Sequence, residues 1–128
     1  MTPHGRHALA LAAFALASCG TNAEDQRLCA IGAATRGELA PPHDHDLELA
    51  IEARIAALPP RHADGETPIH RRAVELREAL VSVRAQRRRF RHALLDGDDA
   101  RIEREAEILV HERTHLTLTL DELDARCR

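Results

Sequence analysis

Apolar residues recur along the second half of the chain at alternating spacings of four and three. Ile69, Ala73, Leu76, Leu80, Val83, Arg87, Phe90 and Leu94 form one series. Ile102, Ala106, Leu109, Arg113, Leu116, Leu120, Leu123 and Cys127 form a second. On a helix this spacing lays the side chains along one stripe, the seam of a coiled coil. Thr67-Pro68 predicts the start of the first helix, with Thr as N-cap and Pro at the first helical position. Gly97 predicts its end after Asp96, and Asp98 can cap the helix that follows nearly to the C-terminus. Folding about Asp98 gives an antiparallel hairpin. Phe90 then meets Ala106, Leu80 meets Leu116, and Leu76 meets Leu120. Arg87 lies opposite Leu109 and Val83 opposite Arg113, so two arginines interrupt the seam in neighbouring layers. The same register puts Arg91 near Glu103 and Arg72 near Glu122.

Upstream the pattern is weaker. Leu47, Ile51, Ile55 and Leu58 make the apolar stripe of a shorter helix, which starts at Asp46 and stops at Pro59-Pro60. It can cover the flank that Val74, Val81, Ile108, Val110 and Leu118 leave beside the hairpin seam. Being shorter than the hairpin, it leaves part of that flank open for a partner or a second copy. Residues 20–45 are mixed. A short helix from Glu24 to Thr35 has Leu28 and Ile31 as its only larger apolar residues, Gly32 and Gly37 weaken it, and Pro41-Pro42 ends it. The expected fold is all-α: an antiparallel helical hairpin with a shorter third helix, a small three-helix bundle over 46–128. Residues 19–45 are expected to be a tether.

The first residues have a different layout. Met1 to His7 are polar, with Arg6 as the firm positive side chain. Ala8 to Ala17 are ten uninterrupted apolar residues, followed by Ser18-Cys19-Gly20. A basic end, a short apolar stretch and small residues make a secretory signal. A spanning helix needs roughly 20 apolar residues, so the run is too short to be a retained anchor. Leu16-Ala17-Ser18-Cys19 resembles the lipobox of bacterial lipoproteins at every position. The resemblance implies removal of residues 1–18 as a signal peptide and lipid on the Cys19 thiol. It also implies a cell-envelope location held by acyl chains, each buried methylene contributing about 0.8 kcal/mol. In that family Asp after the Cys accompanies inner-membrane retention. Gly20 stands there instead, which implies the outer membrane, facing the periplasm.

Cysteine arithmetic follows from that resemblance. With Cys19 lipidated, Cys29 and Cys127 remain as a pair, and an even pair in an exported protein predicts a disulfide. Such a bridge would close nearly the whole mature chain. Charge adds little: 18 Arg and no Lys, with Arg6 in the leader, stand against 21 carboxylates, which leaves the mature chain at −4. That balance offers no pull toward nucleic acid. The absence of Trp and Tyr argues against a sugar-binding or base-stacking platform.

Three clusters carry candidate chemistry. His111-Glu112-Arg113-Thr114-His115 matches HExxH, in which two His one helical turn apart bind zinc and the Glu acts as general base. Against a peptidase, only 13 residues follow, none of them a third His ligand, and a hairpin lacks the sheet that binds a peptide substrate. The register also turns His111 and His115 away from the seam, which favours a solvated helix face or a two-His surface metal site. His43-Asp44-His45-Asp46 offers imidazole and carboxylate ligands suited to zinc or nickel, or a polar capping loop. The likeness to small exported helical-hairpin metal sensors is architectural, and the LTxxQ repeats of related stress chaperones are absent. Arg84, Arg87, Arg88, Arg89 and Arg91 form a basic run, with Glu103, Glu105 and Glu107 expected to compensate it from the facing helix.

No glycine-rich phosphate loop or serine nucleophile motif is present. The sequence therefore predicts a lipid-anchored, non-enzymatic helical module of the envelope. It would act by contact with a protein partner or a second copy of itself, without nucleic acid and without a required cofactor. A periplasmic metal-binding protein using surface His pairs, with zinc as ligand, is the alternative. An HExxH zinc peptidase is the remote one.

Overall fold

The hairpin caps form where the sequence places them. The computed structural model describes residues 23–40, 47–61 and 66–128. They form four α-helices: α1 (Ala23–Leu39), α2 (Leu47–Ala57), α3 (Pro68–Asp96) and α4 (Asp99–Cys127). The leader, Cys19, His43 and His45 lie outside the described residues. At the start of α3 the Thr67 hydroxyl accepts from the His70 N–H at 3.0 Å, and Pro68 begins the first turn. α3 ends at Gly97, whose φ of 70° is left-handed backbone that a side chain disfavours. Asp98 then caps α4 through the Arg101 N–H. Among the described residues no helix is long and apolar enough to cross a membrane.

The seam is the core over most of its length. Ala73, Leu76, Leu80 and Val83 of α3 are buried, as are Leu109, Leu116, Leu120 and Leu123 of α4. Arg72 pairs with Glu122 at 2.9 Å, as the register requires. Toward the loop the seam fails: Leu94 is 51% exposed and Arg113 is exposed. A second row beside the seam, Ala79, Gln86 and Ala93 with Thr119, is buried although its residues are small or polar.

α2 matches its expected stripe, with Ile51, Ile55 and Leu58 buried in the same core. Arg77 of α3 donates to the carbonyl oxygens of Ile55 and Leu58, the second at 3.0 Å. Those are carbonyls that a helix end leaves without partners. Val74 is fully covered, while Val110 and Leu118 stay 64% and 56% exposed. Part of the expected flank therefore remains open; Leu118 lies in a groove with Glu75, Glu78 and His115, away from α2.

The three-helix expectation is corrected to four. Residues 23–39 form a 17-residue helix that belongs to the bundle. α1 crosses the end of the hairpin where α3 begins and α4 finishes. Leu28 is fully buried in the shared core, and Cys29 is bonded to Cys127 with a Cα–Cα distance of 5.8 Å. Gly32, which reads as a helix weakener, is the crossing point. A Cβ at that position would lie 2.6 Å from Leu123 Cδ2, so any side chain there would force Leu123 to shift. Arg36 bridges to Asp121 and Asp124 of α4, and Arg54 of α2 to Glu38 of α1. Buried Asp25 accepts from the Thr67 hydroxyl at 2.7 Å, tying α1 to the cap of α3. Helix propensity loses about 1 kcal/mol at a glycine, and tertiary packing overrides it here.

Candidate functional site

His111 and His115 sit one turn apart on α4 and both are exposed; Glu112 between them is half-buried. His115 lines a shallow groove with Glu75, Glu78, Ser82 and Glu122. Among the described residues no group of three or more His, Cys, Asp or Glu side chains converges as a metal site would require. A two-His surface pair is the arrangement present. Ala40 and Leu47, the residues that bracket the segment of His43 and His45, line a cavity on the Leu116, Thr117 and Leu120 flank of α4. His115 lies with Thr119 on the other groove.

The more unusual chemistry lies in the arginine layer. Two seam positions that coiled-coil packing would fill with apolar side chains hold Arg87 and Arg113. Arg87 is half-buried, and its Nε is buried without a hydrogen-bond partner. Burial pushes its guanidinium below the ordinary value. The like charges of Arg113 and Arg91 add to the effect, and Glu48 opposes it. A positive charge taken from water is tolerated poorly unless it is paired. Arg113 makes no ion pair among the described residues.

Carboxylates reach this layer from α2. Glu48 binds Arg91 at 2.6 Å and lies 3.9 Å from Arg88. Glu52 takes Arg84 at 3.0 Å and Arg88 at 3.3 Å. The hydrogen bond from Arg91 is the main reason that the Glu48 carboxyl is held below its usual range; its own burial acts in the opposite direction. The expectation that Glu103, Glu105 and Glu107 compensate the basic run, with Arg91 near Glu103, is therefore corrected. Arg91 pairs with Glu48 of α2. Glu105 is engaged elsewhere: buried Gln86 donates to its backbone carbonyl at 3.0 Å and to its carboxylate.

Gln86 and Arg87 together cut the hairpin core with a polar layer. On one flank Gln86 is satisfied by Glu105. On the other, among the described residues, five guanidiniums (Arg84, Arg87, Arg88, Arg91 and Arg113) stand with two carboxylates, Glu48 and Glu52. A cavity of about 220 Å³ opens beside them, lined by Arg87, Phe90, Arg91, Leu94, Leu109 and Arg113. The interruption by Arg87 and Arg113 is legible in the spacing of the seam. Glu48 and Glu52 are missed, because the packing angle of α2 is not written in local sequence. Their spacing of four on α2, matched to Arg84, Arg88 and Arg91 on α3, is the one signal that points to the pairing. Comparison with protein-family models, with curated proteins and with solved structures finds no match for the chain.

Proposed function

We propose that the protein is a lipid-anchored helical module of the cell envelope, held through Cys19, that acts by contact with another protein. One observation carries the contact half of this reading. Large apolar side chains stay exposed along the hairpin: Leu95 at 79%, Val110 at 64%, Leu118 at 56% and Leu94 at 51%. Single exposed leucines are ordinary on a protein surface, but several on one pair of helices resemble an interaction face. The anchor half rests on the lipobox-like Leu16-Ala17-Ser18-Cys19 and on the Cys29–Cys127 bridge, which suits an oxidising compartment. The outer membrane is the expected address, from Gly20.

Photo-crosslinkers placed at Leu95, Val110 and Leu118 in intact envelopes test the contact. Adducts of one recurrent mass are expected, lost when the neighbouring apolar residue becomes Asp. Crosslinks to lipid alone, or to none, refute it. Radiolabelled palmitate tests the anchor: Cys19→Ser should abolish incorporation and leave uncleaved precursor, and unchanged labelling sinks the reading.

The exposed pair His111 and His115 supports a second reading, a site that binds zinc, copper or nickel at the surface. Titration of these metals should then show binding below about millimolar that His111→Ala removes. The remote peptidase reading makes Glu112 the general base. It predicts proteolysis lost in Glu112→Ala.

A further inference from the structure

We infer that the corner between Arg87, Arg91 and Arg113 binds the oxyanion head of an alkyl-chain amphiphile. The site goes beyond the protein contact proposed above and does not depend on the fate of Cys19. Its cavity of about 220 Å³ has three guanidiniums at its edge and Phe90, Leu94 and Leu109 as its apolar lining. The volume is below the roughly 300–1,000 Å³ of sites that enclose a drug-sized ligand. It suits a charged head and the first part of a chain, with the remainder lying outside.

Three observations point to an anion. The buried Nε of Arg87 lacks a partner, and an unsatisfied buried donor is the exception in folded proteins. Arg113 has no ion pair among the described residues and repels Arg87. Among the described residues Glu48 is the carboxylate at the corner; its Oε2 binds Arg91 and its Oε1 is itself buried without a hydrogen-bond partner, so one carboxylate stands against three guanidiniums. Arginine presents its N–H groups as a planar fork that matches carboxylate and phosphate oxygens in pairs. An added oxyanion between Arg87 and Arg113 would relieve their repulsion and supply the missing acceptor.

The alkyl requirement comes from the lining. Leu94 occupies a seam position yet is 51% exposed, and Phe90 beside it is only half-buried. A bare inorganic anion would leave both in water, whereas an alkyl chain would cover them at about 25 cal/mol per Å². A carboxylate on a free fatty acid and a phosphate on an anionic lipid share this chemistry.

Octanoate, titrated into the full chain carrying Cys19→Ser with the Cys29–Cys127 bridge formed, tests the site. Chemical shifts of the Phe90 ring and the Leu94 and Leu109 methyl groups report on occupancy. Saturable shifts are expected, with acetate weaker by about tenfold or more and each of Arg113→Gln and Arg87→Met weakening octanoate by about tenfold or more. Thermal melts of both variants keep folding separate from binding: each should melt at or above the parent temperature. Vesicles of phosphatidylcholine with and without phosphatidylglycerol then identify the source. Competition by the anionic vesicles assigns a membrane headgroup, and octanoate binding without such competition assigns a free fatty acid. Absence of saturable shifts, equal binding of acetate, or parent-like binding by both folded variants overturns the inference.

Discussion

The two ends of the hairpin are built on opposite terms. Where α3 begins and α4 finishes, α1 and α2 close over the seam, and Leu28, Leu76 and Leu123 are fully buried. Toward the loop at Gly97 the hairpin stands with little cover, and Leu94 and Leu95 face solvent. Two arginines show the same contrast. Arg36, at the covered end, donates to Asp121 and Asp124, and the hydrogen bond to Asp121 is the main cause that raises its guanidinium above the ordinary value. Arg87, at the layer where cover runs out, has a buried nitrogen without a partner, and burial lowers it. One end is satisfied internally, and the other keeps charge and apolar surface in reserve. Burial is thus concentrated at one half of the hairpin, and the proposed oxyanion site lies toward the other.

The largest expected effect falls on the covered end. Cys127→Ala opens a bridge between positions 98 residues apart. It should lower unfolding free energy by about 4–5 kcal/mol on the chain-entropy view, read from denaturant unfolding. A loss under about 1 kcal/mol would mean that packing alone holds α1. Next, one chemistry can be applied at both ends. Leu123→Ala should cost about 2–5 kcal/mol, as for a buried leucine, while Leu95→Ala should stay within about 0.5 kcal/mol. Comparable losses at the two positions would erase the contrast.

Glycines of α1 sharpen it further. Gly32→Ala drives a methyl group into Leu123 and should cost about 1–3 kcal/mol. Gly37→Ala meets nothing within 4 Å and should gain about 0.5–1 kcal/mol from helix propensity. Equal and favourable effects would show that α1 does not cross at Gly32. In the arginine layer, Arg87→Met removes a poorly satisfied charge and should raise stability by about 1 kcal/mol.

The smallest effect is one of pH. Glu48 has its folded pKa lowered, chiefly by Arg91. A depressed carboxylate stabilises the fold above its unfolded pKa, near 4.3 for a free Glu, and loses that contribution as pH falls through the folded value. The stability gap between the parent and Glu48→Gln should therefore be present at pH 6 and close on acidification below about 4. A gap that persists unchanged at low pH would remove the Glu48–Arg91 pair from the account.

Much of the covered end was legible in the sequence. Thr67-Pro68, Gly97 and Asp98 carry their capping chemistry locally, and the seam from Ala73 to Val83 follows from spacing alone. The pairing of Cys29 with Cys127 follows from assigning Cys19 to lipid. What escaped was tertiary. Gly32 lowers local helix propensity, and its value appears only when Leu123 packs over it. Gln86 and Thr119 are polar, so no hydrophobic pattern marks their row as buried. Helix register places Arg91 near Glu103, but Arg91 pairs with Glu48 of α2. Of the candidate site, the arginine break was readable and its acidic partners were not. His111 and His115 emerge on the solvent side, as the register predicts. Cys19, His43 and His45 fall outside the described residues.

Amide hydrogen exchange on the disulfide-bonded protein tests the division between the two ends most directly. Protection at Leu76, Leu80, Leu120 and Leu123 should approach the global unfolding limit, and amides from Phe90 to Ala106 should exchange faster by about 100-fold or more through local opening. Uniform protection along both helices would contradict the account.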